Sequence, residues 1–316
     1  MSAKREDPKA AFQRSRIVGV EYSTVTGFAP LRMPAKLILI LGMIVALGPL
    51  AIDMYLPALP RLEAHFKADA ASVQATLAAY FIGLAIGQLA YGPVSDRFGR
   101  RKPMLFGLAG FTLASIGCAT ASTIEQLILW RFLQAMTGCA GMVISRATVR
   151  DWCEPQDMAR VLSLLVLIMG VAPILAPSLG ALLLKTFDWQ ALFLTLGGFG
   201  FVATALVYVG VDESLPVARR SAHLGLQSTL IHYRHVLSHH RFLGYALSGG
   251  LAQAGMFAYI STSSFVFIRQ FGLSASQFSI LFGVNAFGLI LASQLNRMAL
   301  KLSLIHISEP TRPLYI

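Results

Sequence analysis

Gly92-Pro-Val-Ser-Asp96-Arg97-Phe-Gly99-Arg100-Arg101-Lys102 is a short basic stretch set between two apolar runs, 73–91 and 103–121. Each run is close to the roughly 20 residues that a helix needs to cross a hydrocarbon core. The glycine at the start allows a tight exit from the first run, Asp96 can cap the turn that follows, and the cluster Arg97, Arg100, Arg101 and Lys102 anchors the loop on the cytoplasmic face. The stretch therefore predicts a hairpin of two membrane helices with its loop inside the cell.

Working outward, the pattern repeats. Eight apolar segments are long enough to span: 37–56, 73–91, 103–121, 124–144, 161–184, 191–211, 243–267 and 278–296. The 316 residues are 55% hydrophobic and 13% charged, with a mean hydropathy of +0.64, whereas an average soluble domain is about 25% charged. So much apolar surface needs lipid as its solvent, and the expected fold class is an all-α polytopic membrane protein. The net charge of +11 lies in the connections and not in one patch, so nucleic acid is not an expected partner. Basic residues crowd the connections on one side: those before the first segment, then Arg97 to Lys102, then Arg146, Arg150 and Arg160, then Arg219, Arg220, Arg234 and Arg241. The other side holds only Arg61, Lys67, Lys185 and Arg269, which puts the N-terminus in the cytoplasm.

Charge inside the apolar segments is rare. Asp53 stands in Leu50-Ala-Ile-Asp-Met-Tyr-Leu-Pro57-Ala-Leu-Pro60; a carboxylate at membrane depth costs on the order of 3 kcal/mol or more, so it faces a cavity or a partner and is a functional candidate by default. Arg131 in the fourth segment matches it in depth. Asp53 lies about 24 Å from the cytoplasmic end of its helix and Arg131 about 10 Å from the outer end of its own, at the helical rise. In a core about 30 Å thick both belong to the outer third, as one layer of one cavity. A carboxylate beside an arginine stays charged, and one desolvated or separated from it takes up a proton. The pair reads either as a proton-coupling site or as a permanent ion pair that fixes helix packing.

Arg131, Gln134, Gly138, Gly141 and Ser145 recur every three or four residues and share one face of the fourth segment. Gly170, Pro173, Pro177 and Gly180 do the same in the fifth, where prolines free backbone carbonyls and bend a helix while glycines admit a close neighbour. A cavity for apolar molecules needs few polar points at mid-depth; the candidates are Tyr80, Gln88, Gln134, Tyr259 and Asn285, each equally able to tie helices together. His232, His235, His239 and His240 have the spacing of a helix face, but with Arg234, Arg241, Leu230, Ile231 and Leu237 among them they read as an amphipathic segment on the membrane surface, and no metal is expected. Cys118, Cys139 and Cys153 have neither paired nor metal-like spacing and read as packing residues.

As a string, the opening stretch resembles the loop between the second and third helices of the major facilitator superfamily. In that family the loop braces helix ends and joins a charge relay during the switch of access. The resemblance assigns this part to Gly92, Asp96, Arg97, Gly99, Arg100 and Arg101, with Asp151 either a partner for Arg100 or a solvated surface charge. Arg131-Phe-Leu-Gln134 with Gly138 resembles the fourth-helix motif of the proton-driven exporters, with Ala135 where the common pattern has glycine. Gly170-Val-Ala-Pro173-Ile-Leu-Ala-Pro177-Ser-Leu-Gly180 resembles the fifth-helix antiporter motif of the bicyclomycin and chloramphenicol resistance group. Symporters generally lack that motif. The resemblance runs from about residue 37 to 300. It implies a monomeric drug:proton antiporter of the bacterial inner membrane that exports small hydrophobic drugs, with no cofactor besides the proton gradient. Asp53 would carry the proton and Arg131 set its charge state. Some other drug exporters of the superfamily place a second acid about two turns before the equivalent of Asp53; Val45 stands there, so their proton count does not transfer.

The expected layout is a cytoplasmic tail (1–36), a six-helix bundle (37–211), a cytoplasmic amphipathic linker (212–242), the first two helices of a second bundle (243–300) and a tail (301–316). Within that tail, 302–312 resembles the translated read-through of a transposon-type sequencing adapter. Eight of the twelve helices of the superfamily are thus expected, and the chain as it stands is expected not to transport, because two helices cannot form the second wall that alternating access requires. A membrane-embedded lipid-acting enzyme would need a nucleophile or metal constellation near an interface, and a sensor would need a folded extramembrane domain; the sequence shows neither.

Overall fold

The computed structural model describes residues 33–220 and 226–308. The expected cytoplasmic tail up to 32 and the last part of the expected artefactual tail, 309–316, lie outside them. The described residues are all-α, with eight helices long and apolar enough to cross a membrane. The first, α1 (Ala35–Asp53), gives way to a 3-10 turn, Leu56–Ala58, and a short α2 (Leu59–Phe66). Pro57 and Pro60 sit in the first turns of these pieces, where a missing N–H costs nothing. Asp69 opens α3 (Ala70–Phe98) by accepting the Ser72 N–H at 3.0 Å. There follow α4 (Arg101–Ala119), α5 (Ile124–Trp152) with Thr123 as its cap, α6 (Pro155–Thr186), α7 (Gln190–Gly210), α8 (Leu226–Leu237), α9 (His240–Ser264) with a π-helical turn Phe265–Gln270, and α10 (Ala275–Ser308).

In the first bundle α5 packs on both α3 and α4, α4 on α7, and α1 on α5, α6 and α7; α10 packs on α6. Lipid tails supply no hydrophobic drive between helices, so close backbone approach does the work. A Cβ on Gly83 of α3 would run into the Phe132 carbonyl of α5, and one on Gly180 of α6 into the Met54 carbonyl after α1. The outward faces are apolar, with Leu39, Phe106, Leu113 and Phe201 all exposed. On the side where α2 lies, Arg269 of the π-helical turn pairs with Glu63 of α2 at 2.6 Å, and the Phe81 and Phe257 rings of α3 and α9 meet at 4.1 Å.

Several boundaries differ from expectation. Gly92 does not end the second span, and a Cβ there would meet nothing within 4 Å among the described residues. The helix runs on through Pro93 to Phe98 and stops at Gly99, whose φ of 87° suits glycine. Pro93 offers no N–H to the Leu89 carbonyl four residues back; Tyr233 of α8 donates its hydroxyl there instead, at 2.9 Å. The fifth span starts at Pro155 rather than Val161, and α10 passes Asn296 to reach Ser308.

Candidate functional site

Arg131 is wholly buried on α5. Its Nη1 donates to the Ala51 carbonyl at 3.0 Å and to Gln134 Oε1 at 2.7 Å. Ala51 lies in the last turn of α1, where carbonyls lack partners within the helix and the helix dipole is negative, so the guanidinium caps that end. Gln134 Nε2 extends the chain to Ser115 Oγ on α4 at 2.8 Å. Three rings enclose the cation, with centroids 4.3 Å (Tyr80), 4.7 Å (Tyr55) and 5.8 Å (Phe193) away. Each such contact contributes about 0.5–2 kcal/mol. Nε and Nη2 have no hydrogen-bond partner among the described residues.

Asp53 does not join this cluster. Two residues past Ala51, it is turned about 200° around the helix axis, and no ion pair links it to Arg131 among the described residues. The expectation of one cavity layer shared by both residues is corrected on this point: they match in depth and differ in direction. Asp53, 3% exposed, lines a cavity of about 530 Å³ whose other polar points are Gln88, Arg146, Gln253, Tyr259 and Asn285. Asn285 Nδ2 donates to Tyr259 Oη at 2.6 Å, and the Tyr259 ring stacks on Phe282. Tyr80 and Gln134 do not line this cavity; both are buried around Arg131.

The fifth-span motif divides its contacts. Gly170 and Pro173 line the cavity, Pro177 accepts the Ser279 Oγ of α10 at 2.9 Å, and Gly180 packs on Met54. Arg146 and Gln253 are lining residues the sequence reading missed. Arg146 counted as a loop cation because the fourth apolar segment ends at Ile144, whereas α5 runs to Trp152.

At the junction of α3 and α4, Arg100 gathers three partners: Asp151 Oδ2 at 2.9 Å, Asp96 Oδ1 at 2.6 Å and Ser95 Oγ at 2.8 Å. Burial works against its charge, but the hydrogen bonds and charges of Asp151 and Asp96 outweigh it and hold the guanidinium's pKa above its ordinary value. Asp151 also accepts from Ser214 Oγ at 3.0 Å. Arg101 donates to the Tyr208 carbonyl at 2.5 Å, and Arg97 lies beside the Phe98 ring.

Glu213, just past α7, is a further residue that sequence reasoning missed. Its carboxylate accepts the N–H groups of Arg100 at 2.7 Å, Arg101 at 3.3 Å and Leu215 at 3.0 Å, and it faces Arg220 at 3.6 Å. An anion at the start of α4 meets the positive end of that helix. A Cβ on Gly99 would strike this carboxylate, so glycine is required there for space as well as for φ.

Eight apolar spans, a largely apolar cavity with a buried acid on its wall, and charge networks at helix ends define a polytopic membrane protein. The chain belongs to the Major Facilitator Superfamily, whose family model matches residues 41–305. It is 41% identical over 256 residues to an MFS-type transporter of Bacillus subtilis (strain 168), YdgK, a match covering 80% of this chain and 63% of that one. It is 31% identical over 261 residues to a bicyclomycin resistance protein homolog of Haemophilus influenzae, covering 82% and 65%. Its fold matches that of a bacterial homolog to the human lysosomal transporter Spinster in an inward-facing, unoccupied conformation, with a TM-score of 0.68 at 17% identity, covering 86% of this chain and 64% of that one. The chain thus spans less than two thirds of the length of these relatives.

Proposed function

We propose that this chain supplies eight of the twelve spans of a proton-coupled exporter of small hydrophobic drugs, monomeric, in a bacterial inner membrane with its N-terminus in the cytoplasm. The observation that carries the reading is Asp53, a buried carboxylate opening on a cavity of about 530 Å³. Drug and proton meet at one wall there, so occupancy by one bears on occupancy by the other. Arg131 acts through position: by holding the last turn of α1 at Ala51, it fixes the direction in which Asp53 points. The Arg100 network ties α3, α4 and the end of α5 and serves as the contact that breaks and reforms as the bundles rock. The name of the Haemophilus relative supports the drug class. The proton gradient is the sole energy source, and the eight spans by themselves, lacking the rest of the second wall, do not transport.

The test uses everted membrane vesicles holding the complete transporter, acidified inside and followed by a pH-sensitive dye. Chloramphenicol should release protons in the wild type and release none with Asp53→Asn at equal protein in the membrane. Proton release undiminished by Asp53→Asn would remove Asp53 from the mechanism.

A further inference from the structure

We propose that Arg146 sets the charge class of the substrate, so that the cavity takes neutral or anionic hydrophobic molecules and turns away lipophilic cations; this rests on the exporter reading above. Arg146 lines the same cavity as Asp53. It is exposed, its Nη2 lies 3.8 Å from Met169 Sδ, and it forms no ion pair among the described residues. Arg131 is matched by the Ala51 carbonyl, whereas Arg146, on the cavity wall, has no carboxylate or carbonyl partner among the described residues. Arg146 is left for whatever enters.

The two charges of the cavity stand apart. Arg146 is about 9 Å along α5 from its end at Trp152, and Arg131, level with the last turn of α1, is about 22 Å further along. Asp53 sits near that deeper level and is 3% exposed, so a ligand coming from the Trp152 end meets Arg146 first. At about 6 Å and an effective dielectric of about 20, a like unit charge is disfavoured roughly a hundredfold. Water in the cavity reduces the factor, and a preference of about tenfold is expected. The remaining lining, with Ile52, Leu84, Met142, Met256, Phe257 and Phe282, accepts apolar bodies of either charge, so the selection falls to Arg146.

Tetraphenylborate and tetraphenylphosphonium share size and shape and differ in sign. Equilibrium binding of each to this chain in lipid nanodiscs, corrected for empty nanodiscs, should favour the borate at least tenfold. Arg146→Gln should bring the ratio within about threefold of unity, Arg146→Glu should invert it, and Arg146→Lys should keep it, with helicity unchanged in all three. A wild-type preference for the phosphonium, or a ratio unmoved by Arg146→Gln, overturns the proposal. The readout needs no transport. A borate preference lost in Arg146→Gln without proton release from the vesicles would keep Arg146 and discard antiport, and the opposite pair of results would do the reverse.

Discussion

A lysine at position 131 would keep the charge and lose the plane. The guanidinium donates to Ala51 and Gln134 while lying against Tyr55, Tyr80 and Phe193, and a compact ammonium cannot fill both the hydrogen-bonding and stacking roles. Arg131→Lys is expected to cost about 1–3 kcal/mol of stability, read as a lower unfolding temperature in detergent, and to disturb Asp53 only through the last turn of α1. Glu213 gives a second prediction at this scale. Glu213→Gln removes the charge facing Arg220 and weakens the cap on α4, for a loss of about 1–2 kcal/mol. Faster proteolysis in the segment after α7 would register it. Depth and azimuth along one helix are legible in sequence, since rise and twist per residue are fixed; which neighbour a side chain meets is not, and that is why Asp53 and Arg131 are expected together while Asp53 lines the cavity and Arg131 is enclosed by Tyr55, Tyr80 and Phe193.

The elements themselves were legible because apolar length and flanking charge are properties of single segments. What hid from the sequence were the places where one element completes another. Gly92 is expected to end the second span, yet α3 continues through Pro93, and Tyr233 from α8 takes the Leu89 carbonyl the proline leaves open. Tyr233→Phe should therefore cost about 1 kcal/mol, seen as faster amide exchange across α8 and the last turns of α3. The Asp69 cap behaves oppositely to a hidden contact, being local and exposed. Its hydrogen bond from Ser72 holds the carboxyl below its ordinary 3.8, so the cap is fully present above about pH 4 and is lost as the pH falls through the lowered value. The protection factor of the Ser72 amide, its exchange corrected for the intrinsic pH-dependent rate, should fall on acidification in that range, and Asp69→Asn should abolish that fall.

For the whole molecule, the eight-span architecture follows from composition and charge alone, while the contacts between the first six spans and the two that follow depend on single side chains far apart in sequence. Glu63 and Arg269 illustrate this: 206 positions separate them, and nothing local marks them as partners. Arg269 is 62% exposed at its side chain, so a double-mutant cycle should return only about 0–1 kcal/mol, shrinking with added salt, a coupling weak enough to open in the proposed transport cycle.

The hold of Tyr233 on α3 bears on how such a cycle can run. Only Ser238 and His239 separate α8 from α9, so the leash from the first bundle to the second is hooked a few residues short of its far end. In the proposed cycle the seventh span would swing about a pivot beside Leu89 instead of sliding the length of the connection. Extra chain spliced between α7 and α8 would hang slack and leave the stroke unchanged, whereas the same length inserted between α8 and α9 would move the pivot itself.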